Sequence, residues 1–134
     1  MDTISIEKDI ILLCVQAETF PDGIMDAYQK LHSVVQPGAD RRSFGISRME
    51  DGAIVYKAAV EENREGEAEE FGLEKVVIKG GSYISETIHD YMNNLPAIGT
   101  TFQTLITQPG IDPSGYCVEA YTSQSEVQCM VRLH

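Results

Sequence analysis

The chain has no tryptophan, only three cysteines in 134 residues, and ten lysines and arginines against 21 acidic residues. Each scarcity excludes something. A formal net charge of −11 argues against a nucleic-acid-binding surface, because that affinity comes from Lys and Arg displacing counterions from phosphate. The largest basic cluster is the pair Arg41-Arg42, so no direct contact with nucleic acid is expected. Cys14, Cys117 and Cys129 show no paired spacing and sit in apolar strand-like runs, so they read as small buried hydrophobes rather than disulfides. The longest uninterrupted apolar run, residues 10–15, has six residues, far short of the roughly 20 a membrane helix needs. The opening Met1-Asp2-Thr3-Ile4-Ser5 is too acidic and polar for a secretory signal. A cytoplasmic protein without membrane contact is expected. His32, His89 and His134 have no ligand spacing to Cys or carboxylates, and Gly80-Gly81 lacks the Gly-rich pattern followed by Lys of a phosphate loop. Neither metal nor cofactor is expected.

What the chain does have is an apolar fraction of 43%, near the globular average, and enough length for one domain over residues 1–134. Residues 10–15 read as a buried strand, apolar throughout and rich in branched side chains. Phe20-Pro21-Asp22-Gly23 breaks it, and Asp22 is placed to cap a helix whose apolar positions Ile24, Ala27, Tyr28, Leu31, Val34 and Val35 recur at three and four. Gln36-Pro37-Gly38 ends that helix. Strand-like residues 43–49 and 53–60 follow, joined by Glu50-Asp51-Gly52, a hairpin turn. Residues 61–70 carry six carboxylates and one Arg and read as a solvated connector.

After the connector the order recurs. Residues 71–88 are strand-like, bent at Gly80-Gly81. Asn94-Leu95-Pro96 opens a helix with Pro in its first turn, and Ile98, Phe102, Leu105 and Ile106 supply its stripe. Gln108-Pro109-Gly110 closes it, and residues 116–121 and 127–133 make a second hairpin around Ser123-Gln124-Ser125. Gln36-Pro37-Gly38-Ala39-Asp40 matches Gln108-Pro109-Gly110-Ile111-Asp112 at a fixed offset, which also superposes Asp22 on Asn94, Phe44 on Tyr116 and Ile46 on Val118. The pattern predicts an α+β fold of two β-α-β-β repeats (about 4–62 and 71–134) related by a pseudo-twofold. The sheet is antiparallel, with both helices on one face. A groove between paired helices over a sheet suits a small molecule.

Glu119 is the most suggestive position, the lone charge in Gly115-Tyr116-Cys117-Val118-Glu119-Ala120-Tyr121. Its first-repeat counterpart is Ser47, so the duplication puts a carboxylate on one side of the groove only. Two readings stay open. Under the helices, the carboxylate must be paired, protonated or facing a cationic ligand. In plain alternation, Tyr116, Val118 and Ala120 face inward and Glu119 faces water. Tyr28, Tyr56, Tyr91 and Tyr121 fall on elements bordering the groove, where rings could take a flat cation, although single tyrosines more often just fill cores.

Phe44-Gly45-Ile46-Ser47, Tyr56-Lys57-Ala58-Ala59-Val60, and the closing Cys117-Val118-Glu119-Ala120-Tyr121 with Glu126-Val127-Gln128-Cys129-Met130-Val131, taken in this two-unit order, resemble the gyrase-inhibitor-like family. The same fold is the effector-binding domain of many AraC-type and MerR-type transcription regulators. The resemblance covers nearly the whole chain. It implies a drug-like or metabolite ligand, often a lipophilic cation, in the inter-helix groove. The family's buried acid in a Glu-x-Tyr strand motif matches Glu119 and Tyr121, and its third-strand aromatic matches Tyr56. Ser47 lies across the groove, and Met25, Tyr28 and Phe102 would be helix-borne lining. The expected role is a stand-alone small-molecule-binding module, acting as a sensor, a sequestering protein or the partner of a regulator. Some similar proteins hydrolyse reactive small molecules, which here would use Glu119 as base with Tyr121 or Tyr56 as proton donor. The absence of Trp speaks against that. Others inhibit gyrase directly, and the acidic surplus would suit such protein contact. No helix-turn-helix precedes the domain, so the expected chain has no DNA reader of its own.

Overall fold

The computed structural model describes residues 1–36 and 41–134, so the first copy of the Gln-Pro-Gly-x-Asp motif lies partly outside the described residues. The elements run β1 (Asp2–Ile6), β2 (Ile10–Gln16), α1 (Ile24–Val34), β3 (Ser43–Glu50), β4 (Ala53–Glu61), α2 (Glu67–Phe71), β5 (Glu74–Ile78), β6 (Gly81–His89), a 3-10 turn (Tyr91–Asn93), α3 (Pro96–Leu105), β7 (Cys117–Tyr121) and β8 (Glu126–Arg132). The fold is α+β. All eight strands form one antiparallel sheet in the order β1-β6-β8-β7-β3-β4-β2-β5.

That order is symmetric about the central pair β7 and β3. It also exchanges the outer strands: β1 pairs with β6, and β5 pairs with β2. β1 was not expected, because Asp2-Thr3-Ile4-Ser5-Ile6 is short and offers only two apolar side chains, yet Ile4 and Ile6 pack against a buried cluster. The Asp51-Gly52 turn is real, with φ of 51° and 83°, the two left-handed residues that a two-residue hairpin wants.

Neither long helix uses the caps read from sequence. The residues before α1 and α3 are Gly23 and Leu95, and no side chain caps either helix. Backbone turns take over that role at α1. The Gly23 amide donates to Thr19 O at 3.0 Å and the Ile24 amide to Pro21 O at 3.2 Å.

The acidic connector is also more than a solvated link. Arg41 donates to both oxygens of Glu67 at 3.0 and 2.9 Å, and the amides of Asn63 and Arg64 donate to Glu67 Oε1 at 2.6 and 3.2 Å. Glu67 is 1% exposed. The Arg41 partner, a guanidinium 26 residues away, is what lets a carboxylate-rich segment bury one member and turn into α2.

Both faces of the sheet are buried, by different means. α1 packs on β2 and β4, and α3 packs on β6 and β8. On the opposite face the sheet curls, so that Leu12, Phe44, Ile46, Ile78, Tyr83, Val118 and Met130, drawn from central and outer strands alike, form one cluster. The helices therefore straddle the sheet and leave its two central strands, β3 and β7, as the floor of the space between them. No helix among the described residues is long and apolar enough to cross a membrane.

Candidate functional site

Alternation along β7 sends Val118 into the curled face and Glu119 to the helix side. Simple alternation could not decide this, because on a sheet buried on both faces neither parity reads as solvent. Glu119 is 7% exposed. Across the sheet it is flanked by Gly45 on β3 and Cys129 on β8.

Two phenols reach its carboxylate. Tyr56 donates to Oε1 at 3.1 Å and Tyr121 donates to the same oxygen at 2.5 Å. The Tyr28 hydroxyl, carried in from α1, stands 3.0 Å from the Tyr56 hydroxyl and donates to Phe44 O at 2.8 Å. The rings interlock: Tyr28 meets Tyr56 and Tyr121 edge-on at 6.4 and 6.5 Å, Tyr91 tilts against Tyr121 at 5.4 Å, and Phe20 stacks on Tyr56 at 5.9 Å. Oε2 accepts no hydrogen bond among the described residues and is not sealed from solvent.

No Lys, Arg or His forms an ion pair with Glu119 among the described residues. Burial therefore raises its carboxyl above the ordinary range, and the bonds from Tyr121 and Tyr56 only partly offset that. Burial, reinforced by the adjacent carboxylate, pushes the phenols of Tyr28, Tyr56 and Tyr121 upward. All three keep their protons and act as donors or neutral walls. The site is a desolvated carboxylate ringed by aromatic faces, a setting in which a cation gains from both the charge and the ring quadrupoles.

The structure brings Glu119, Tyr56, Tyr121 and Tyr28 together. Ser47 joins them on the floor: it is half-buried and paired with Tyr56 and with Cys117. Met25 and Phe102 are not brought in. Met25 is 67% exposed on the first turn of α1, off the face that carries Ala27 and Leu31. Phe102 is buried under α3 against Val127, Cys129 and Val131, so it packs rather than lines.

Sequence reading missed Phe20 and Gly45. A Cβ on Gly45 would overlap the Tyr56 hydroxyl and stand 2.9 Å from Glu119 Oε1. A glycine inside a strand, between Phe44 and Ile46, was the available signal of such a close approach.

Two hollows open elsewhere on the sheet, the first reaching the site only through Tyr121. One, of about 680 Å³, opens on the curled face between β1, β3 and β7 and includes Phe44, Ala120 and Met130. The other, of about 700 Å³, lies beside the end of α3. Neither is lined by Glu119. The chemistry rather than the volume marks the site.

No family model matches this chain, and no curated protein matches it. Several solved structures share its fold. An integron cassette protein from the mobile metagenome of Vibrio cholerae superposes with a TM-score of 0.71 at 12% identity, covering 99% of this chain and 95% of its own. The protein SAV2435, solved bound to tetraphenylphosphonium, gives 0.66 at 11% identity over 98% and 93%. A putative bacterial transcription regulation protein from Staphylococcus aureus MU50 gives 0.56 at 11% identity over 98% and 97%. At such identities the likeness is one of fold, shared along essentially the whole chain.

Proposed function

We propose that this chain is a small-molecule-binding module of the gyrase-inhibitor-like kind, and that its ligand is a lipophilic organic cation held against Glu119. One observation carries the reading: a buried carboxylate with aromatic neighbours and no cationic partner among the described residues. Burying such a charge is unfavourable unless something positive arrives, and Oε2 is the atom left to receive it. The aromatic ring set supplies a flat, apolar, electron-rich surface of the kind that takes organic cations. That a protein of the same fold was solved with tetraphenylphosphonium supports this choice of ligand class. A fold-mate described as a putative transcription regulation protein supports a role as the sensing half of a regulatory system.

The test is binding of tetraphenylphosphonium to the wild type and to Glu119→Gln, each checked for unchanged circular dichroism. Glu119→Gln weakens binding by about 1–3 kcal/mol, the range for a hydrogen-bonded charged partner. Equal affinities would remove Glu119 from the site.

A second reading has one specific observation in its favour. A carboxyl raised by burial beside two phenols is also how a general base is tuned. On that reading, reactive electrophiles are hydrolysed and Glu119→Gln abolishes turnover. Saturable binding without turnover discards it.

A further inference from the structure

The helix side of the central strands continues beyond Glu119. Side chains alternate along a strand, so the residues of β3 that share the helix side with Gly45 are Ser47 and Met49, and those of β7 are Cys117, Glu119 and Tyr121. The register pairs Gly45 with Glu119 and Ser47 with Cys117. One step from the carboxylate, about 7 Å along the strands, the floor thus consists of two small, half-buried side chains, Ser47 and Cys117. Beyond them opens the hollow of about 700 Å³, whose walls include Cys117 itself with Val131, Ile111, Ile106 and Met49. Cys117 therefore belongs both to the face that carries Glu119 and to the wall of the hollow.

The chemistry changes along this track. The charged residues among the hollow's walls, Arg48, Glu50 and Asp112, are each held in an ion pair, whereas Glu119 is in none among the described residues. In the hollow the inner wall is apolar: Val131 is 2% exposed, and burial pushes the Cys117 thiol up to about 11, so it stays neutral. Ile106 and Met49, 53% and 62% exposed, leave large apolar surfaces open at the mouth. The polar groups on the rim are engaged with each other, Arg48 with Glu50 at 3.1 Å and Arg132 with Asp112 at 3.4 Å.

We propose that the ligand is an elongated amphiphilic cation, whose charged head sits against Glu119 and whose apolar tail runs over Ser47 and Cys117 into the hollow beside the end of α3. This rests on the reading of Glu119 given above and adds the length and polarity of the ligand.

The experiment compares methyltriphenylphosphonium with butyl, octyl and decyl members of the series by titration calorimetry. Affinity rises by roughly fourfold per methylene while the tail is being buried, then levels off once the hollow is filled. Two substitutions are read through the ratio of decyl to methyl affinities. Cys117→Leu, which fills the floor, and Ile106→Gln, a change at an exposed position that should not trouble folding, each lower that ratio by about fivefold or more. Methyltriphenylphosphonium binding with no gain from the longer tails overturns the elongated ligand and leaves the Glu119 reading standing. A large tail gain that survives both substitutions overturns it too, since the tail then lies elsewhere. Failure of every member to bind sinks the Glu119 reading and this inference with it.

Discussion

Two buried glutamates make the most instructive comparison in the molecule. Glu67 and Glu119 are 1% and 7% exposed, and their electrostatics are opposite. Glu67 faces a bidentate guanidinium and two amides, and chiefly the Arg41 bond holds its carboxyl down to about 2. Among the described residues Glu119 takes hydrogen bonds from phenols alone, and burial drives its carboxyl up. The lesson is that burial of a carboxylate does not by itself mark a site. Glu67 is a structural clamp that ties the connector to the residue just ahead of β3, its needs fully met inside the chain. Glu119 is left short of one positive charge, and that deficit is what a ligand can fill.

The comparison can be broken from the Glu67 side first. Arg41→Met leaves the acid only the longer Arg64 pair at 3.9 Å, and stability in urea falls by about 2–3 kcal/mol. That is at or below the range of about 3–5 kcal/mol for a severed buried pair, because the Asn63 and Arg64 amides still donate to Glu67 Oε1. A loss below 0.5 kcal/mol, the usual scatter of surface substitutions, would mean that the clamp is ornamental.

The two acids also bend stability against pH in opposite senses. An acid held low in the fold stabilises above the unfolded value of 4.5, and that contribution is lost as pH falls from there toward 2. An acid held high does the reverse: the fold loses stability as pH climbs above 4.5, until the folded carboxyl ionises. Glu119→Gln should therefore flatten the neutral side of the stability profile, whereas Arg41→Met should flatten the acid side.

Gly45→Ala sharpens the contrast by forcing a methyl into the Tyr56–Glu119 contact. Overpacking of this kind costs about 1–3 kcal/mol, and cation binding should fall with it. Full affinity in Gly45→Ala would show that the Tyr56 contact is dispensable. The smallest effect expected is for Tyr121→Phe. It removes one donor to Oε1, changes stability by about 1 kcal/mol, and moves the pH midpoint of cation binding upward, because the ionised acid loses a partner. A midpoint that moves down would contradict the placement of that bond.

Much of this was readable from the residues, and the rest failed for identifiable reasons. The strand, helix and hairpin order followed from periodicity and from local punctuation such as Asp51-Gly52 and Pro96. β1 escaped because its partner β6 lies in the other half of the chain. The connector misled because Arg41 lies 26 residues from Glu67, a distance over which no sequence window sees pairing. Within the site, Glu119, Tyr121, Tyr56 and Tyr28 were in view. The orientation of Glu119 was not, since a sheet covered on both sides erases the alternation that would reveal it. Met25 and Phe102 were assigned by helix membership alone, which says nothing about which way a side chain points.

The ionisation of Glu119 itself can be followed through its side-chain carboxyl carbon by NMR with and without tetraphenylphosphonium. In the free protein its carboxyl titrates above the ordinary 4.5 and its midpoint falls clearly when the cation is added, while the titrations of Tyr28, Tyr56 and Tyr121 stay above the range scanned. A carboxyl that titrates at or below 4.5 when free, or that does not respond to the cation, would contradict cation binding at a desolvated Glu119.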